Sequence, residues 1–129
     1  MPNFTSPASV TTMIANPNPY PDGVTIDPNP TTIAFAGTTQ ATAAPIVDLV
    51  AVITNNTAAN GGILPVGTGG QRILLIPSLV TNAPLVYPPV GGTINFGTVN
   101  AGVAITARKV AEFVALDATG LNWGLNQGA

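Results

Sequence analysis

The sequence predicts an all-β protein, a single β-sandwich or jelly-roll-like barrel of short strands, preceded by an extended Pro/Asn-rich N-terminal arm. Three observations predict it. From Thr31 onward, short apolar runs recur between clusters of Gly, Pro, Asn and Thr, the pattern of strands joined by turns. The 129 residues include 14 glycines and 13 prolines, which favour turns and penalise long helices. Several runs alternate apolar and polar residues with the period of two that a half-buried strand needs. The length fits one domain. Its expected division is an arm over residues 1–30 and a sandwich over residues 31–129.

The arm is read first. "ANPNPYPDG" and "DPNP" lie close together there. Each proline fixes φ and removes a backbone donor, and it pushes the preceding residue toward extended geometry. A helix is excluded. Short strand pieces are expected near Val10–Ile14 and Val24–Ile26. Phe4, Val10, Met13, Ile14 and Tyr20 make the arm too apolar for a solvated tail. It either packs on a neighbour or wraps the domain.

The strand series follows as Thr31–Phe35, Ile46–Thr54, Gln71–Ile76, Leu85–Tyr87, Thr93–Phe96, Val103–Thr106, Val110–Leu116 and Leu121–Leu125. "NNTAANGG", "GTGG", "TNAP" and "PPVGG" are the turns between them. In Gln71–Ile76, Arg72, Leu74 and Ile76 share one face and Ile73 and Leu75 the other. Both faces read as mostly buried, with Arg72 at an edge. In "TINFG", Ile94 and Phe96 share a face. Residues 104–116 also carry helix formers, and Arg108 and Glu112 would pair at i,i+4. Strand is preferred over 110–116, with Lys109, Ala111, Phe113 and Ala115 on one face.

Composition bounds the function. Only 6% of residues are charged and 46% are hydrophobic, against about 25% charged in typical domains. Neutral polar groups must cover the surface, and weak charge repulsion suits assembly. The net charge is −2, and Arg72, Arg108 and Lys109 are the basic residues. Neutralising phosphates needs several cations, so no nucleic-acid partner is expected. Neither is a polybasic membrane anchor. Residues 73–107 are uncharged, but Pro77, Pro84, Pro88, Pro89, Gly91 and Gly92 interrupt them, against a spanning helix. "MPNFTSPASV" lacks a basic n-region and reads as a mature start.

Chemistry is scarce. The chain has neither Cys nor His, which excludes Ser-His-Asp and Cys-His catalysis and argues against structural zinc. "GTGG" (67–70) precedes a strand rather than opening a helix and lacks the Gly-Lys-Ser/Thr ending of a phosphate loop, so it reads as a turn. Asp22, Asp27, Asp48, Glu112 and Asp117 are scattered among turns and strand ends. Asp22 and Asp117 read as turn residues and Asp48 as lying near a strand start. Asp22 and Asp27 lack the pattern of an EF-hand loop. The Asn-x-Thr triplets at 3–5 and 55–57 arise readily by chance in a chain this rich in both residues. No two prolines lie three apart, against a P-x-x-P ligand. No catalytic residue, cofactor or metal is expected. For Trp123, Tyr20 and Tyr87, packing is the first reading and recognition the second. The candidate interface residues are therefore Phe4, Val10, Met13, Ile14, Tyr20, Tyr87 and Trp123.

"LVYPPVGGTIN" (85–95), followed by "VAEFVALDATGLNW" (110–123), resembles the C-terminal half of small tailed-phage virion structural proteins of the head decoration or cement type. In those a strand ends in a Val-Tyr-Pro turn, and a Gly and an Ile-Asn follow. An A-x-F-x-A strand comes later, closed by an Asp…Asn-Trp turn. "ILPVGTGGQRILLIPSLVTNAPLVYP" fits the same order. The resemblance covers about residues 45 to 125. It departs at "ARKV", where such proteins often carry glycine. It implies a non-enzymatic capsid decoration protein that binds across capsomer junctions and stabilises the shell. The implied partners are the major capsid protein and further copies of the chain, as a homotrimer. The implied location is the capsid surface of the virion, after assembly in the host cytoplasm. The alternative is a tail or fibre module that binds a receptor or glycan.

Overall fold

The computed structural model describes residues 30–54, 60–78 and 83–128. Two β-sheets face each other across one core, as the sequence predicts. The strands are β1 (Thr31–Ile33), β2 (Ala44–Pro45), β3 (Val50–Ile53), β4 (Gly61–Ile63), β5 (Arg72–Pro77), β6 (Leu85–Tyr87), β7 (Thr93–Ile94), β8 (Val103–Ala104), β9 (Ala111–Ala115) and β10 (Asn122–Gln127). The larger sheet has the order β1-β3-β5-β9-β10-β7 and the smaller β2-β4-β6-β8.

From β1 to β6 the chain alternates between the sheets, and each strand lies parallel to the one two places earlier. The chain thus winds as coils, each adding one strand to each layer. Thr31 lies opposite Ala51, Val50 opposite Leu74, Ala44 opposite Gly62 and Gly61 opposite Leu85. The C-terminal part reverses direction. β9 pairs antiparallel with β5 and with β10, and β8 antiparallel with β6. β7 then joins β10 in parallel.

Alternation sets the core. Ile73 and Leu75 of β5 point inward, as do Ala111, Phe113 and Ala115 of β9. The strand reading of 110–116 therefore holds. The outer face of β5 is less covered than expected, because Leu74 and Ile76 are only half-buried. Arg72 is exposed and pairs with Glu112 at 3.0 Å across the sheet.

Other expectations change. Ile46–Thr54 is not one run. β2 ends at Pro45, and residues 46–49 form a corner that carries the chain between layers. Ile46 donates its N–H to the Ile63 carbonyl at 2.9 Å and buries its side chain. β4 sits at the end of "NNTAANGG", where glycine indicates a turn. Both its glycines are needed for space. A Cβ on Gly61 would lie 2.7 Å from the Tyr87 ring, and one on Gly62 would lie 2.5 Å from the Phe35 ring.

The turn readings of "GTGG" and of Asp117 stand. In "GTGG" the Gln71 N–H closes on the Thr68 carbonyl at 2.9 Å, with Gly70 at φ 83°. Asp117 anchors "DATG", accepting from the Thr119 N–H at 3.1 Å and the Thr119 hydroxyl at 2.6 Å. The two turns meet where the Gly67 N–H donates to the Gly120 carbonyl at 3.0 Å. Asp48 precedes β3 and accepts from the Thr31 hydroxyl at 2.8 Å.

Candidate interaction site

Phe96 does not join the core with Ile94. β7 stops at Ile94, and the Gly97 N–H closes on the Ile94 carbonyl at 3.0 Å. The two residues inside that turn, Asn95 and Phe96, have φ of 53° and 56°. Two positive φ values mark a type I′ turn, which favours Asn at the first position and Gly at the second. Phenylalanine stands where glycine is favoured. A left-handed conformation costs a residue with a Cβ about 1–2 kcal/mol. The turn also reverses the alternation, so the Phe96 ring emerges from the sheet and is 77% exposed.

The loop that carries it is braced on three sides. Asn95 donates its N–H to the Trp123 carbonyl at 2.8 Å, and its side-chain oxygen accepts from the Leu125 N–H at 2.8 Å. Asn100, at φ 64°, closes the neck. Its N–H donates to the Gly92 carbonyl at 2.9 Å, and its Oδ1 accepts from the Gly91 N–H at 2.7 Å. Gln40, at the start of a short 3-10 turn (Gln40–Thr42), donates to the Pro88 carbonyl at 2.7 Å and to Asn100 Oδ1 at 3.3 Å. Val90 and Val99 flank this neck and are also exposed. One loop thus displays three apolar side chains on a fixed backbone.

Of the predicted interface residues, Tyr87 and Trp123 fall elsewhere. Trp123 is fully buried in the core and Tyr87 is 8% exposed. Neither offers a ring face to a partner, and packing is their role here. The Tyr87 ring fits between Gly61 and Gly102, where an added Cβ would lie 2.7 Å from it on either side, and its hydroxyl donates to the Thr38 carbonyl at 3.0 Å. Phe4, Val10, Met13, Ile14 and Tyr20 lie outside the described residues, as do Asp22 and Asp27. The signal that could have found Phe96 is local. In "INFG" the Asn stands where a turn of this kind favours it.

The described carboxylates are held singly. Glu112 pairs with Arg72, Asp48 with Thr31, and Asp117 with its own turn. Hydrogen bonds from Asn122 and then Thr119 hold the Asp117 carboxyl below its ordinary pKa. Among the described residues, no three His, Cys, Asp or Glu side chains gather as a metal site. No helix among them is long and apolar enough to cross a membrane.

Comparison with family models, with curated proteins and with solved structures finds no match to this chain.

Proposed function

We propose that this chain is a non-enzymatic structural protein of a phage virion, a decoration or cement protein that binds the capsid surface across capsomer junctions. Its partners are the major capsid protein and copies of itself, as a homotrimer. The observation that carries the reading is the braced loop presenting Phe96, Val90 and Val99. An aromatic ring held rigidly in solvent gives contact area at little ordering cost, which is how interface anchors work. A strained backbone maintained by surrounding bonds points to a site where geometry is used. The low charge and the resemblance over residues 45–125 support the same role. Stabilisation of the shell follows by linkage, since a protein that binds only the mature shell shifts the equilibrium toward it.

The fibre alternative calls on exposed aromatics such as Trp123, and the buried indole cannot serve as one.

The test uses purified protein and undecorated mature shells. Wild type is expected to bind near-stoichiometrically and raise the shell melting temperature. Phe96→Gly should leave the protein as stable or about 1 kcal/mol more stable, because glycine takes positive φ without penalty. The same variant should bind shells roughly thirty-fold more weakly, the effect of losing an anchor of ~2 kcal/mol. Binding to host cells or glycans without binding to shells would overturn the proposal.

A further inference from the structure

The bonds that brace the Phe96 loop leave half of two side chains unused. Asn95 and Asn100 sit at φ of 53° and 64°, where Asn is found more readily than most residues with a Cβ. Each holds the backbone with its side-chain oxygen. Asn95 Oδ1 accepts the Leu125 N–H at 2.8 Å, and Asn100 Oδ1 accepts the Gly91 N–H at 2.7 Å. A backbone N–H only donates, so these bonds fix which branch of each carboxamide is the oxygen. The other branch, the Nδ2 amide with its two N–H groups, is fixed with it. Neither Nδ2 donates to a described residue, and both residues are exposed.

The fold uses only the oxygens. Aspartate would accept the same two bonds, and a charged acceptor makes the stronger bond. The amide halves are therefore surplus to the loop itself. They bracket its apolar side chains, since Asn95 precedes Phe96 and Asn100 follows Val99. Phe96 and Val99 are both exposed. Residues 73–107 carry no charge, so the loop presents no ion of its own to a partner. It offers an aromatic and aliphatic anchor between two oriented pairs of neutral donors.

That combination specifies the other side of the contact. Anchors enter desolvated pockets, and donors buried beside them must find acceptors or cost free energy. A backbone carbonyl is an uncharged group that accepts only, which matches an amide that donates only. A carboxylate accepts as well, but against a neutral loop it would be buried without a counter-charge. A sugar hydroxyl both donates and accepts, and neither Nδ2 can take its proton.

We propose, on the decoration reading of this loop, that Asn95 and Asn100 are specificity-determining residues of the Phe96 contact. Their Nδ2 amides donate to backbone carbonyls that line an uncharged apolar pocket on the capsid protein.

Asn95→Asp and Asn100→Asp test this with little change of shape. Each keeps the oxygen that holds the backbone and turns the outward donor into an acceptor. Both variants should melt at the wild-type temperature at neutral pH. Each should bind undecorated mature shells about ten-fold more weakly, because a carboxylate oxygen then meets a carbonyl oxygen. Thr98→Asp puts the same charge on an exposed residue of the same loop without removing an amide. It should stay within about three-fold of wild type, the spread expected of a contact away from the anchor.

The outcomes separate. Wild type that fails to bind shells would overturn the decoration reading and this assignment with it. Wild type that binds, with both Asp variants binding equally well, would overturn only the role of the two amides. An equal loss in Thr98→Asp would overturn it too, since any charge on the loop would then be excluded alike. A melting temperature well below wild type in either Asn→Asp variant would show that the oxygen alone does not hold the loop, which removes the premise. Release of bound protein from shells by free sugars would put hydroxyls in place of carbonyls and overturn the proposed pocket.

Discussion

At the residue scale, glycines shape the core by leaving room for rings. Gly61 and Gly102 give up a side chain to the Tyr87 ring, and Gly67 to Trp123, where a Cβ would lie 2.7 Å from the indole. Gly61→Ala and Gly102→Ala should each destabilise the fold by about 1–3 kcal/mol, the range for overpacking a filled core. Gly128→Ala should not, because a Cβ there would meet nothing within 4 Å. Denaturant titration of the three variants checks this. None of it was legible from "NGG" or "NAG", since a glycine does not name the ring that crosses it. Asp117 belongs to the same scale. Its carboxylate is favoured in the folded state by Asn122 and Thr119. A folded pKa below the unfolded one gives stability that is complete above the ordinary carboxylate range and is lost as pH falls through the lowered value. Asp117→Asn should therefore lower the melting temperature near neutrality, where that stability is present, and flatten the acid limb of a plot of melting temperature against pH. An unchanged acid limb would show that the turn contributes nothing to it.

At the element scale, long alternating runs could be read and short ones could not. β5 and β9 each show several alternations, and their inward residues were identifiable from Ile73, Leu75 and Phe113. β2 has two residues and β4 has two glycines among its three, so period and propensity had nothing to act on. β7 misled in the opposite way. "TINF" alternates on paper, but the turn begins at Asn95 and reverses the direction of Phe96. The strand assignment of β9 makes a sharp prediction. Phe113→Ala should cost about 3–5 kcal/mol as a buried truncation. Val114→Thr, on the half-buried outer face, should cost under about 1 kcal/mol. Equal costs from chemical denaturation would contradict the inward and outward faces of this strand.

At the scale of the whole molecule, the fold class was legible and the winding was not. Short strands with Gly, Pro and Asn turns imply two packed layers whether the strands run parallel or antiparallel. What decides between them is where each connection goes, and connections of four to ten residues are compatible with both. The candidate site was hidden for a related reason. The sequence marks aromatic residues but not which of them the core absorbs. Trp123 and Tyr87 were taken inward, and Phe96 was left outside by one turn. The parentage of that turn has a consequence for how the protein matures. β7 has β10 as its strand neighbour, and Asn95 is tied to Trp123 and Leu125. During synthesis the coils emerge in order, and each finds its partner already made, as N-terminal parts of a nascent chain fold first. The Phe96 loop cannot be set until β10 has left the ribosome. A chain that stops before β10 therefore does not hold the Phe96 loop in this form.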